Sequence, residues 1–412
     1  MTVIEDLRQR GILKQISNES KFNNLTSGDA VYCGFDPTAT SLHLGNYIQI
    51  ANLLRFKQYG YKVYAVLGGA TGMIGDPSFK DAERQLLDNE TLQLNKSKIK
   101  SQLEKYGLEV IDNYDFYKHM NILVFLRDVG KLVNVSYMLA KDSVATRIEK
   151  GLSFTEFSYQ LIQGWDFLQL YKNKNVKVQF GGSDQWGNIT TGLDMISTVF
   201  GNDHNAVAIT ANLLTDANGN KFGKSTGGGS LWLDPEKTKP YVMYQFLLNQ
   251  PDSEISKLLN WLTFLDKNEI DEIIKLHNQD ASKRIAQKAL AFNVIKQVHN
   301  EEEAKKAHLA STILFSKDLD LSSIQTEEIA KLQDVLNTIQ LKSNENLVSQ
   351  LINLGVLKSK REAKEFIQNK ALKVNLYPMD EDSVFTSDIW EGKYALLHIG
   401  KKNIYLVKAQ DN

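Results

Sequence analysis

The chain has 412 residues, 42% hydrophobic and 24% charged, with a formal net charge of −1. Two or three domains are therefore expected, with no global basic surplus to mark a nucleic-acid binder. One cysteine, Cys33, excludes an internal disulfide framework and a cysteine-based zinc cluster, and no apolar run approaches the ~20 residues that span a bilayer, so a cytoplasmic protein without a membrane partner is expected.

The first segment sets Ile4, Leu7, Ile12 and Leu13 beside Glu5 and Asp6, and reads as an amphipathic helix, not a signal peptide. Runs rich in β-branched and aromatic residues at 31–35, 62–67, 176–180 and 206–210 alternate with helical patterns. That order predicts parallel strands joined by helical crossovers, with ligands outside the carboxyl ends of the strands. Glycine-rich segments follow several of these runs, at Gly68-Gly69, Gly181-Gly182 and Gly227-Gly228-Gly229. Residues 81–151 turn helical and read as an insertion into a catalytic domain spanning 1–235. Residues 236–335 lose the strand signal and read as a helical domain, including helices over 253–265 and 269–295. A linker is expected at 336–346, then a small module at 347–412 that ends in strand-like alternation over 403–408. The fold class predicted is a Rossmann-like α/β parallel-sheet domain with a helical insertion, an all-α domain and a small α+β module.

Two segments carry most of the chemistry. Tyr32-Cys33-Gly34-Phe35-Asp36-Pro37-Thr38 leads into Ser41-Leu42-His43-Leu44-Gly45-Asn46, which opens a helix through Ile50, Leu53 and Leu54. A helix N-terminus favours phosphate, His43 supplies a donor there, and Gly45 lets a nucleotide approach the backbone. Lys221-Phe222-Gly223-Lys224-Ser225 precedes the three consecutive glycines. Two lysines in such a loop can close over a polyphosphate. Read singly, each motif has an ordinary explanation as a helix start or a solvated loop.

Between them, Tyr159, Gln163 and Asp166 fall at i, i+4 and i+7 and share one helix face, with Phe157, Leu161, Trp165 and Leu168 on the other. The polar stripe carries no lysine or arginine, which suits a pocket lining.

Taken together, the His43 and Lys221 motifs match the paired signatures of class I aminoacyl-tRNA synthetases. Residues 32–46, 68–77, 153–166 and 181–188 resemble the bacterial tyrosyl-tRNA synthetase family. The resemblance implies an enzyme that activates L-tyrosine with ATP and transfers it to tRNA(Tyr). It implies that Tyr32 and Asp166 hold the phenol, that Asp76, Tyr159 and Gln163 hold the ammonium, and that Asp36 and Gln185 complete the tyrosine site. Cys33, Gly34, His43, Gly45, Asn46, Gly182, Asp184 and Lys224 would meet ATP. Thr38, His43, Lys80, Arg84, Lys221, Lys224 and Ser225 would stabilise charge on the departing pyrophosphate. Magnesium would enter with ATP, since no all-protein metal cage and no tightly bound cofactor are expected. Homodimers joined through the insertion, and anticodon contact by the 236–335 domain, are also implied.

The C-terminal segment resembles an RNA-binding module shared with a ribosomal small-subunit protein. Over 358–373, Lys358, Lys360, Arg361, Lys364, Lys370 and Lys373 oppose only Glu362 and Glu365, a pattern suited to phosphate contact. Two departures stand out. Asn46 occupies a position where the family motif often has a second histidine, which excludes acid-base work there. The lysine loop reads Phe222-Gly223 where Met-Ser is more general. A tryptophanyl counterpart and a catalytically inactive RNA-binding relative are the alternatives.

Overall fold

The computed structural model describes residues 1–76, 87–141, 144–145, 148, 151–215, 222–223, 229–315, 320–400 and 403–410. They form two compact units: Met1–Thr238 with Gln250–Leu290, and Lys239–Asn249 with Ala291–Asn412.

The first unit is built on a six-stranded sheet of order β1-β6-β5-β2-β3-β4. Its strands are β1 (Leu13–Ile16), β2 (Ala30–Phe35), β3 (Lys62–Leu67), β4 (Glu109–Asp112), β5 (Val176–Gly182) and β6 (Val207–Ala211). All neighbours pair in parallel except β1, which runs antiparallel to β6. The four parallel strands expected from sequence are present. Two more, β1 and β4, were not expected. The stretch 81–151 is therefore not wholly an insertion, because β4 completes the sheet from within it.

Helices α1 (Val3–Gln9), α2 (Glu19–Asn23), α3 (Leu44–Gln58), α4 (Thr71–Ile74) and α5 (Asn89–Lys105) fill the first half of this unit. Then come α6 (Ile122–Asp128), α7 (Val135–Leu139), α8 (Phe154–Lys174) and α9 (Trp186–Phe200). Helix α3 crosses over between β2 and β3, and α9 between β5 and β6. Chain order turns back at β2, which has β3 on one side and β5 on the other. The crevice at the carboxyl ends of β2 and β5 is thus the expected ligand position.

Helix α3 is buried nearly all round, through Leu44, Tyr47, Ile50, Leu53 and Phe56. Arg55 is buried with it, donating to Asn52 Oδ1 and to the backbone carbonyls of Trp261 and Thr263 at 2.8–2.9 Å. Arg10 donates to the carbonyls of Asn260 and Leu265. Two guanidinium groups thereby satisfy carbonyls that the end of helix 252–262 leaves unpaired. Residues 269–295, expected as one helix, are interrupted where Asp280 caps a short turn and Arg284 adopts φ +53°.

The second unit carries a five-stranded sheet of order β7-β11-β10-β8-β9. Its strands are β7 (Asn337–Lys342), β8 (Leu372–Val374), β9 (Tyr377–Pro378), β10 (Tyr394–Ile399) and β11 (Asn403–Gln410). Strand β10 alternates cleanly: Ala395 and Leu397 face a core with Leu347, Leu351 and Ala363, while Leu396 faces another with Ile313, Ile329 and Leu332. The stretch 336–346, read from sequence as a linker, contains β7. The helical stretch 236–335 is divided between the two units. Lys358, Lys360, Arg361 and Lys364 are exposed around the helix Lys360–Gln368, and Lys373 is half-buried on β8.

Candidate active site

A cleft of about 360 Å³ opens at the carboxyl ends of β2 and β5. Fifteen residues singled out from sequence line it: Tyr32, Cys33, Gly34, Asp36, Thr38, His43, Gly45, Asn46, Asp76, Tyr159, Gln163, Asp166, Gly182, Asp184 and Gln185. Lys80, Arg84, Lys221, Lys224 and Ser225 lie outside the described residues.

The closed end is a buried polar network. Asp166, on α8, is 3% exposed. Its Oδ2 accepts from Asn113 Nδ2 at 2.9 Å and its Oδ1 lies 2.7 Å from the Tyr117 hydroxyl. Burial pushes the Asp166 carboxyl up to about 8, against the pull of the Asn113 and Tyr117 hydrogen bonds. The Tyr32 hydroxyl is buried without a hydrogen-bond partner among the described residues. Burial, then the nearby Asp166 carboxyl, holds that phenol well above its ordinary value, so it stays a donor. The opposite face of α8 is dry, since Leu161 and Leu168 join the core and Phe157 and Trp165 pack against it.

The network continues outward. Asn113 Nδ2 reaches Thr71 Oγ1 at 3.2 Å, and Thr71 donates to Asp36 Oδ1 at 2.7 Å. Tyr159 donates to Asp36 Oδ2 at 3.1 Å, and Gln185 Nε2 donates to Asp76 Oδ2 at 2.8 Å. Burial, then Asp36 and Asp76, keeps the Tyr159 phenol neutral. The middle of the cleft therefore presents carboxylates and carboxamides with no cation among its described lining residues, a setting suited to an ammonium group.

The outer end is organised by the start of α3. His43 is the N-cap: its Nδ1 accepts from the Asn46 backbone N–H at 3.3 Å, while Asn46 Oδ1 accepts from the His43 backbone N–H at 3.0 Å. Asn46 thus closes a capping box. The ring nitrogen that accepts cannot carry hydrogen, so in the neutral ring the hydrogen resides on Nε2. Gly45 and Gly223 bring two backbone segments together. A Cβ on Gly45 would come within 2.9 Å of the His43 ring, and one on Gly223, at φ +94°, within 3.0 Å of the Gly45 nitrogen. Phe222 and Gly223 therefore lie directly against the first turn of α3, where Leu44 N–H also donates to the Leu231 carbonyl at 2.8 Å.

Asn113, Tyr117 and Gln179 were missed by sequence reasoning. Asn113 and Tyr117 follow β4, inside the stretch read as insertion. The signal available was Val110-Ile111 followed by Asp112-Asn113, a short strand and its carboxyl-end turn. Gln179 lies on β5 opposite Tyr32, and its buried Oε1 has no partner among the described residues.

The family model described as "tRNA synthetases class I (W and Y)" matches residues 26–316, and that of the "Tyrosine--tRNA ligase SYY-like C-terminal domain" matches 328–407. The chain is 58% identical to the tyrosine–tRNA ligase of Mycoplasmopsis synoviae over 408 residues, covering 99% of each. It is 47% identical to that of Mycoplasmopsis pulmonis, covering 98% of each. Among solved structures it is similar to a C-terminally truncated Aspergillus nidulans mitochondrial tyrosyl-tRNA synthetase, with TM-score 0.70 and 29% identity over 76% of this chain and 94% of that one. With both family models covering most of the chain and relatives this similar along its whole length, the chain belongs to the tyrosine–tRNA ligase family of class I aminoacyl-tRNA synthetases.

Proposed function

We propose that the chain activates L-tyrosine with ATP and then esterifies it to the 3′ end of tRNA(Tyr). The observation that carries this reading is the closed end of the cleft, where a buried carboxyl on Asp166 faces a buried, unpartnered hydroxyl on Tyr32. A phenol donates to the first and accepts from the second. Asp36, Asp76, Tyr159, Gln163 and Gln185 receive the ammonium and carboxylate. A carboxylate oxygen of tyrosine attacks the α-phosphorus, the bond to the bridging oxygen breaks, and pyrophosphate leaves with that electron pair. The protein forms no covalent bond. Positioning and charge stabilisation do the work.

Cys33, Gly34, Gly45, Asn46, Gly182 and Asp184 hold the nucleotide, which enters as its magnesium complex. Thr38, His43, Lys80, Arg84, Lys221, Lys224 and Ser225 meet the departing pyrophosphate. The terminal ribose hydroxyl of the tRNA then attacks the adenylate carbonyl, and AMP departs. The helical stretch 236–335 and the module 347–412 contact the anticodon and variable arm, with Lys358, Lys360, Arg361, Lys364 and Lys373 on the phosphate backbone. Exchange of labelled pyrophosphate into ATP tests the assignment. Tyrosine should support exchange and tryptophan should not, and the reverse would move the chain to the tryptophanyl branch.

The chain works as a homodimer in this reading. Helix α6 buries none of its residues, and Ile122 and Leu123 are 66% and 74% exposed. With Leu126, Val135 and Tyr137 they give an apolar surface suited to a second copy. Light scattering of the native protein should give twice the chain mass. Ile122→Asp with Leu123→Asp should give a folded monomer whose Tm falls only by the loss of association, because neither side chain supports the core. A variant that stays dimeric would rule out this face.

A further inference from the structure

Tyr117 has one hydroxyl hydrogen and two acceptors in reach. Its oxygen lies 2.7 Å from the Ile162 carbonyl and 2.7 Å from Asp166 Oδ1. The carbonyl can only accept, so Tyr117 must be the donor in that contact. The second contact then needs a hydrogen from Asp166. An ionised carboxylate has none, and two bare oxygen lone pairs at that distance repel. A neutral Asp166 satisfies both contacts in one direction: Oδ1–H donates to Tyr117, Tyr117 donates to Ile162, and Asn113 donates to the remaining Oδ2.

The surroundings favour the same state. Facing Asp166 are Tyr32 from β2, Asp36 beyond its end, Asp112 and Tyr117 from the segment at β4, and Tyr159 from α8 itself. None is a cation, and Asp112 is engaged with Lys96 at 2.5 Å. Removal from water adds to the cost of ionisation.

We propose that Tyr117 is a specificity-positioning residue that sets the proton state of Asp166: the unliganded site holds a proton on Asp166, and an entering phenol drives it out to solvent. The inference rests on the reading of Asp166 as the phenol acceptor. No covalent bond is made. The substrate keeps its phenolic hydrogen and donates it to Asp166, Tyr117 turns its hydrogen from Ile162 to Oδ1, and the displaced proton passes to buffer. Three donors, from Asn113, Tyr117 and the substrate, then stabilise the carboxylate.

Calorimetric titration with tyrosine, in buffers of different ionisation enthalpy between pH 6 and 8.5, reads this directly. About one proton should be released per tyrosine near pH 6.5, falling towards zero above the carboxyl's own titration, with affinity rising up to about tenfold per pH unit below it. Tyr117→Phe removes the acceptor that the Asp166 proton uses in the unliganded site, so its rise in affinity should move to lower pH, while the donor it removes from the liganded site weakens the affinity reached above that midpoint on the order of tenfold. A structural role alone would weaken binding equally at every pH. Buffer-independent enthalpies with flat affinity in the native protein, or a Tyr117→Phe profile of unchanged midpoint, overturn the proposal. Unimpaired tyrosine binding by Asp166→Asn would instead overturn the phenol assignment beneath it.

Discussion

Asp166→Asn is expected to lower kcat/KM for tyrosine in pyrophosphate exchange on the order of 10²–10³-fold, while making the folded protein more resistant to heat at alkaline pH. The loss follows from removing the charged acceptor for the phenol. The gain follows from the sign of the Asp166 shift. Its carboxyl is raised from 3.8 to about 8 in the fold, so its contribution to stability is complete below the ordinary carboxylate range and is lost as pH rises through about 8. An asparagine presents the neutral pattern at every pH, with its oxygen accepting from Asn113 and its amide donating towards Tyr117. Thermal melts of the two proteins should therefore lie closest together at pH 4 and farthest apart at pH 8.5, with the variant higher. Equal Tm values at both pH values would mean that Asp166 is not held neutral by the fold. Unchanged exchange kinetics would mean that the phenol is read elsewhere.

The parts of this site that the sequence made legible are those whose signal is periodic or local. Helical spacing puts Tyr159, Gln163 and Asp166 on one face, and the absence of lysine and arginine from that stripe, with the family resemblance, marks it as a pocket lining. The central strands of the first sheet were visible as apolar runs because they are covered on both sides. Among the strands that escaped, β1, β4, β7 and β9 lie at the edges of their sheets, whereas β10 lies inside the second sheet. An edge strand is specified by its pairing partner more than by burial. Asn337 to Lys342 is largely exposed and polar, yet all six residues pair in register with β11. Missing β4 cost the most, because Asn113 and Tyr117 follow it and complete the coordination of Asp166. Asn46 was legible as a residue but not as a cap. Only the reciprocal bonds with His43 reveal that its contribution is geometric.

His43→Asn is expected to reduce kcat for tyrosine activation by roughly 10²–10³-fold, with tyrosine affinity and Tm close to native. Asparagine is a strong N-cap, so it can retain the bond to the first turn of α3 that His43 Nδ1 now makes. What it lacks is reach: the Nε2 donor, whose tautomer that cap selects, is gone. Asn46→Ala is the complementary change. It removes the other half of the capping box, costs about 1 kcal/mol of stability, and leaves the imidazole present but less firmly aimed. If His43 acts on the pyrophosphate leaving group, its replacement should lower kcat far more than Tm, while Asn46→Ala should move both modestly. If the ring serves only as a cap, His43→Asn will be nearly silent and Asn46→Ala the more damaging of the two. Pre-steady-state measurement of adenylate formation at saturating tyrosine and ATP distinguishes these outcomes, because it reads the chemical step apart from binding and release.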